Sequence, residues 1–489
     1  MKFYFITGSQ DLYGEETLAA VALHTREMAD TLNASPEIPY DIEWKPTVRS
    51  PREITDVIEA ANYDRECAGI ITFMHTFSPS KMWVDGLTKL QKPYCHFHTQ
   101  FNREIPWNEI DMDFMNLNQS AHGDREHGFI GARLRMPRKI IVGYWRDCDT
   151  QRKIADFMRA AAGVFESRSL RVARIGDNMR EVAVTEGDKV EAQIKLGWSV
   201  NGWGLGDIVR YVDTVTDSEA DAKYEEILPL YTLKTDDIAS VKYQIKIELG
   251  LRRFLENGGF GAFTTTFENL YGLRQLPGMA VQRLMADGWG FGAEGDWKTA
   301  ALLRVMKVMA HGKAGGTAFM EDYTYDFSES VDRVLGAHML EVCPSICKTG
   351  EKPAIEVHPL GIGGKEPPAR LTFDGASGEV ILCSLVDMGG RMRMIVQEAF
   401  AAAPHHKMPR LPVAATMWMP YPDLQTAAQA WLCAGGAHHT VMSYALNSRN
   451  MRDFCEMLGI ECIVINKNTD IDELKKELLY NDIAYKFNI

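Results

Sequence analysis

Short apolar runs alternate with helix-period stretches through the first third of the chain, and that alternation restricts the fold more than any other feature of the sequence. KFYFITG, near the N-terminus, reads as a strand, and from Glu16 a helix carries Leu18, Val21, Thr25, Met28 and Leu32 on one stripe. The pattern repeats through the buried strand CAGIITFM (67–74), the helix KMWVDGLTKL, the strand PYCHFH, the helix NQSAHGDREHGFIGARLR, the strand KIIVGYW and the helix DTQRKIADFMRAAAGVF. Strands separated by helices of this length predict a parallel, doubly wound sheet, whose ligand sites lie at the carboxyl ends of its strands. The loops there are GSQDLYG, MHTFSPSK and LNQSAHGDRE.

A second α/β unit begins near Leu170 with LRVARIGD. It runs through a long glycine-rich loop, GWSVNGWGLGD, a helix in DDIASVKYQIKIELGLRRFLEN and a buried strand in GFGAFTTTFENL, and closes with a helix from Asp296. From about Gly315 the texture changes to short strands with turn signals such as Asp374-Gly375, capped by helices at Leu424–Ala434 and Asp470–Leu479. A chain of 489 residues is too long for one core. The expected fold is α/β, with two doubly wound parallel-sheet domains (residues 1–168 and 169–314) followed by a β-rich, barrel-like C-terminal domain (315–489).

Between Gly288 and Glu321 an apolar helix stands between two loops that each carry a carboxylate, Glu294 and Glu321. His338 follows in LGAHMLEV, and His438 and His439 in AGGAHHTVM. Two carboxylates neutralise a divalent cation and two imidazoles add borderline nitrogen donors, so this set suits one metal ion. The spacing alone fits equally well a solvated loop acid, an N-cap neighbour and histidines satisfied as ordinary polar residues. Gly290 to Gly295 spells G-x-G-x-x-G, but a helix-like AVQRLMADGWG precedes it where the dinucleotide fingerprint needs a strand, and Glu294 would repel phosphate. GIGGK (361–365) lacks the spacing of a phosphate loop and reads as a turn.

A net charge of −13, with acids spread throughout, removes the nonspecific drive toward nucleic acid or an anionic membrane. Nine scattered cysteines do not make a disulfide framework and fit a reducing compartment. No apolar run approaches the ~20 residues of a membrane span, and the first residues read as a strand and not a signal peptide. A cytoplasmic chain with a small, neutral or metal-bound partner is expected.

GSQDLYGEETL, HTFSPSKMW, NLNQSAHGDRE, TTTFENLYGLRQLPGMAVQRLMADGWGFGAEGDWKTAALLR, GGTAFMEDYTY, HMLEVCPSI, HPLGIGGK and GGAHHTV together resemble the L-arabinose isomerases, in the same order from first strand to last helix. The resemblance implies isomerisation of L-arabinose to L-ribulose, and of D-galactose to D-tagatose, with one Mn²⁺ per subunit. It implies a homo-oligomer, hexamer or tetramer, with sites at subunit interfaces, and two α/β domains followed by a barrel-like one. On matching positions the metal ligands would be Glu294, Glu321, His338 and His439, with His438 the near neighbour of the last. Glu294 and Glu321 would also be catalytic, moving protons through an enediol or assisting a hydride shift; both routes stay open. Gln10, Leu12, Tyr13, Phe77, Gln119, His122, Phe267 and Tyr323 would line the sugar site. Asp11 and the Glu268-Asn269 pair depart from the expected pattern beside that site. A metal-dependent hydrolase and a non-catalytic sugar-binding protein are the rival classes.

Overall fold

The computed structural model describes residues 1–328 and 331–487. The backbone divides into two compact units, Met1–Phe165 and Glu166–Ile489.

Unit one is built on five strands, β1 (Lys2–Gly8), β2 (Asp41–Trp44), β3 (Cys67–Met74), β4 (Tyr94–His98) and β5 (Lys139–Val142). All are parallel, in the order β2-β1-β3-β4-β5. β3 is buried at every residue, as a central strand covered on both faces must be. The helix Gly14–Asn33 buries Leu18, Val21, Thr25, Met28 and Leu32, the stripe read from the sequence. One face of the core gathers Ile6, Ile54, Ile58, Ile70, Met74 and Trp83. Strand order reverses at β1, with β2 on one side and β3 on the other, so the loops after β1 and β3 flank the crevice where such sheets bind ligands.

His75, just past β3, is fully buried, and its Nε2 lies 2.9 Å from Nδ1 of His24. Burial pushes the His75 imidazole down to about 4, against about 6.5 in an unfolded chain. The unfolded state therefore binds more protons in that window, and stability rises with pH across it. Above about pH 6.5 the buried neutral ring costs nothing in this respect; as pH falls the fold loses stability progressively, and by about pH 4 the loss amounts to roughly 3 kcal/mol. His75→Gln should flatten the dependence of urea-unfolding free energy on pH between 4 and 7. An unchanged slope would show that His75 titrates normally in the fold.

The first five strands of unit two are β6 (Arg171–Ile175), β7 (Ser199–Trp203), the two-residue β8 (Thr232–Leu233), β9 (Ala262–Thr264) and β10 (Gly290–Gly292). All but β8 form a second parallel sheet, in the order β10-β9-β6-β7. The segment GWSVNGWGLGD, expected as a long loop, is instead β7 followed by a helix, Leu205–Asp213. All five β7 residues pair with β6, and this ladder overrides the poor strand preference of glycine and asparagine. The glycines of GFGAEG also differ from expectation, because the first two lie within a strand, β10. They let the helix Trp297–Met309 lie close against it: a Cβ on Gly290 would sit 2.0 Å from the Ala300 carbonyl oxygen, and one on Gly292 2.4 Å from that of Asp296.

The remaining strands are β11 (Thr317–Asp326), β12 (Arg333–Ala337), β13 (Ala354–Val357), β14 (Ala369–Thr372), β15 (Gly378–Asp387), β16 (Met392–Ala402), β17 (Ala415–Pro420), β18 (His439–Ser443) and β19 (Glu461–Ile465). Antiparallel pairing runs β15-β18-β11-β12-β17-β16, and β16 pairs back with β15. Six strands thus close into a barrel without free edges among them. β19 adds in parallel beside β16, and β8, β13 and β14 form a small separate sheet. The α/β class, the parallel sheets and the β-rich C-terminal region agree with the sequence reading. Among the described residues no helix is long and apolar enough to cross a membrane.

Candidate active site

The loop leaving β10 and the first rows of the barrel carry the carboxylates and imidazoles of unit two. Glu294 has φ 59°, in the left-handed region that costs a side-chain-bearing residue roughly 1–2 kcal/mol. Its carbonyl accepts from the Met179 N–H at 2.9 Å, and the N–H of Gly295 donates to Thr265 at 2.9 Å, which pins the turn. On the barrel, Glu321 of β11 pairs directly with His439 of β18 on one side and with Ala337 of β12 on the other. Directly paired residues of antiparallel strands share a face, so Glu321 and His439 project together. His338 is the next residue after β12.

These side chains converge. Nε2 of His439 lies 3.7 Å from Oε2 of Glu294, and Nε2 of His338 lies 3.9 Å from Oε2 of Glu321. The two imidazole rings are 6.2 Å apart. His438 approaches from outside the strand, 3.3 Å from Oε2 of Glu294, and Glu294, His438 and His439 have ligand atoms within 4.8 Å of one another. His438, which the sequence reading set beside the ligand set, is therefore part of the group that can hold a metal ion.

Each buried imidazole is fixed from behind by a carboxylate. The Nδ1–H of His338 donates to Glu341 at 2.6 Å, and that of His439 donates to Asp296 at 3.1 Å. Ionised carboxylates only accept, so the proton stays on Nδ1 and each Nε2 presents a lone pair. That arrangement is the usual support of a metal-bound histidine. Nε2 of His439 is buried and has no hydrogen-bond partner among the described residues. An orphaned acceptor beside two carboxylates is what a cation would satisfy, so the residues fit a divalent metal.

The electrostatics agree. Burial works to raise the Glu294 carboxyl, but the His438 hydrogen bond and the His439, His438 and His338 rings outweigh it and hold it below its usual value. Asp296 is fully buried. Burial opposes its ionisation too, yet Lys298 and the His439 hydrogen bond bring it down to about 2. His338 is raised despite burial, by Glu341 and by Glu321 and Glu294. The next residue after Glu321, Asp322, is pushed up to about 6 by burial, with the Glu321 charge adding.

Phe319 closes the apolar side, edge-on to His338 at 4.9 Å and to His439 at 5.1 Å, while Phe267 stacks on His338 at 6.0 Å. Tyr323 and His338 share a cavity of about 330 Å³ with Met339, Leu360 and Arg370. Sequence reasoning passed over Asp296, Glu341 and Phe319. Asp296 reads as a helix cap, and it is one, accepting from the Thr299 N–H; only the fold shows that its other oxygen holds His439.

In unit one the loops after β1 and β3 meet. The Gln10 amide donates to the Phe77 carbonyl at 3.1 Å, and the Tyr13 hydroxyl donates to Gln119 at 2.8 Å. Phe77 packs edge-on to His122 at 4.7 Å. The structure thus brings Gln10, Tyr13, Phe77, Gln119 and His122 together, whereas Leu12 points outward at 83% exposure. Gln119 and His122 line a cavity of about 650 Å³.

Residues 1–169 match the L-arabinose isomerase N-terminal domain, residues 171–312 the L-arabinose isomerase central domain and residues 316–461 the L-arabinose isomerase C-terminal domain. Among curated proteins, the L-arabinose isomerase of Geobacillus kaustophilus strain HTA426 is 55% identical over 491 residues, 99% of this chain and 98% of the relative. "L-arabinose isomerase 1" of Bacillus licheniformis is 56% identical over 99% of this chain and 98% of the relative. The L-arabinose isomerase of Bacillus subtilis strain 168 is 54% identical over the same shares.

Proposed function

The chain belongs to the L-arabinose isomerase family and is an isomerase, and from that premise we propose that it interconverts L-arabinose and L-ribulose with one Mn²⁺ held by Glu294, Glu321, His338 and His439. The observation that carries this reading is the pair of imidazoles anchored at Nδ1, whose free Nε2 atoms face the two glutamates. Two carboxylates and two imidazoles without thiolate favour Mn²⁺ over a structural zinc site. A cation held by these four residues would supply Lewis-acid stabilisation of the charge that builds on the sugar's oxygens.

The protein's own groups do the rest. Glu294, held ionised by its imidazole neighbours, is suited to take the proton from C2 and return it at C1. Glu321 serves the proton exchanged between the two oxygens, and the aromatic faces of Phe319 and Phe267 keep bulk water from the carbon undergoing exchange. D-galactose, which differs from L-arabinose in carrying a further carbon, is proposed as a second substrate.

The test is ketose formation from L-arabinose after exhaustive chelation and after readdition of Mn²⁺. Activity should disappear with the metal and return with it, and the melting temperature should rise when Mn²⁺ is restored, since a ligand at 100 times its Kd stabilises the folded state by about 2.7 kcal/mol. Full activity in the stripped protein would overturn the metal assignment, and absence of ketose under all conditions the reaction.

We further propose a homo-oligomer, working in the cytoplasm, with sites at subunit interfaces. Exposed Ile105, Trp107, Met112 and Met115 supply an apolar surface of the kind that association covers, and among the described residues no disulfide joins any of the nine cysteines, as a reducing compartment keeps them. A sedimentation experiment that finds only monomers would exclude the assembly.

A further inference from the structure

The loop that follows β6 holds the turn of Glu294 from behind, and one side chain holds that loop. β6, β9 and β10 are neighbours in one parallel sheet, so the segments leaving their carboxyl ends meet along one edge. Met179, four residues beyond β6, donates its N–H to the Glu294 carbonyl at 2.9 Å. Contact is as close at the next residue of the turn: a Cβ on Gly295 would sit 2.5 Å from Cα of Asn178 and 2.7 Å from the Asp177 carbonyl oxygen. The left-handed backbone of Glu294 is kept by these neighbours, as such a conformation at a residue with a side chain has to be.

Asn178 is 5% exposed, and both polar atoms of its amide are engaged. Nδ2 donates to the Thr185 carbonyl at 2.6 Å and to the Gly295 carbonyl at 3.3 Å, while Oδ1 accepts from Nη1 of Arg174 at 2.7 Å. Carbonyls only accept and a guanidinium only donates, so these three partners fix which way the amide faces. One side chain thus joins three segments: β6 through Arg174, the far end of the loop at Thr185, and the residue after Glu294. All three bonds go to groups other than the four proposed ligand side chains. What they govern is the backbone from which one of those side chains projects. Releasing φ of Glu294 from 59° to the ordinary negative region would redirect its Cα–Cβ bond and carry the carboxylate away from Nε2 of His439, now 3.7 Å distant.

We propose that Asn178 is a positioning residue for Glu294: its amide holds the loop after β6 against the Glu294–Gly295 turn, and so sets the carboxylate for the cation and for the carbon-bound proton. The proposal rests on the reading of Glu294 given above.

The experiment is a double-mutant cycle in the full-length protein, read as Mn²⁺ affinity by calorimetry. Asn178→Ala should weaken Mn²⁺ binding by about 10–100-fold, the range for residues that support a ligand. In the Glu294→Gln background the same change should weaken it by less than about twofold, because the carboxylate that Asn178 places is already gone. With Mn²⁺ saturating, kcat for ketose formation should fall by about tenfold or more while KM for L-arabinose moves by less than about threefold, the split expected when a reacting group is misplaced and the sugar contacts are kept. Should Asn178→Ala fold poorly by circular dichroism, Asn178→Asp serves in its place: it keeps the volume and the Arg174 contact but removes both donors, and the same losses are expected. An equal loss of Mn²⁺ affinity in both backgrounds would assign Asn178 to general stability and overturn the proposal, as would wild-type affinity and kcat in the single variant, or loss of the fold in both the Ala and the Asp variants. Wild-type protein that binds Mn²⁺ with the coupling to Glu294 intact but forms no ketose would overturn the isomerase reading and leave this one standing.

Discussion

Glu294→Gln is expected to lose ketose formation by on the order of 10⁴-fold or more, with the fold retained. The amide keeps the length of the side chain and its left-handed backbone, so the change is confined to charge. That charge lies 3.7 Å from Nε2 of His439, and in the proposed reaction it has two tasks: half of the compensation for a divalent cation, and the base for the carbon-bound proton. An amide does neither. Metal titration by calorimetry should show weakened binding in the same variant, whereas circular dichroism should be unchanged. Turnover near that of the wild type would sink the assignment of Glu294, and loss of turnover with full metal affinity would restrict its role to proton transfer.

His439→Ala should weaken metal binding by at least about 100-fold, and His438→Ala by less than about tenfold, since removing a ligand outweighs the 10–100-fold range typical of residues that only support one. The difference follows from the barrel. His439 is the first residue of β18, is fully buried, shares a face with Glu321 and has its proton fixed by Asp296. His438 precedes the strand, is partly exposed, and spends its Nε2–H on Glu294, a bond that raises its own proton affinity. A proton on His438 competes with the cation for its nitrogen, so its share in metal binding is expected to be the smaller. A competition assay against a metal-sensitive dye reads both affinities, and the reverse ranking would identify His438 as the ligand.

That ranking also marks where the sequence stops being informative. Apolar periodicity made the first parallel sheet legible, because a strand buried on both faces must be apolar throughout, as Cys67–Met74 is. It failed at Ser199–Trp203, whose strand character comes from pairing with Arg171–Ile175 and not from its own residues. The carboxylates and imidazoles were visible as a chemical set. Which of two adjacent histidines shares a face with Glu321 depends on the register of β18 against β11, a long-range property with no local signal. Glu341 and Asp296 escaped notice for a related reason. Their value lies in the direction of one carboxylate oxygen relative to a ring, which for Glu341 is three residues away across a turn and for Asp296 143 residues away.

The positive φ of Glu294 sets heat resistance against turnover. Glycine is the residue that this backbone prefers, and in the metal-free protein Glu294→Gly would relieve a strain of roughly 1–2 kcal/mol, less the roughly 0.5–1 kcal/mol of chain freedom that glycine loses on folding. A selection that scores only survival of the folded chain after heating, with no metal and no sugar supplied, should therefore drift toward dead protein at position 294, and so any campaign to harden this enzyme has to keep catalysis in its screen.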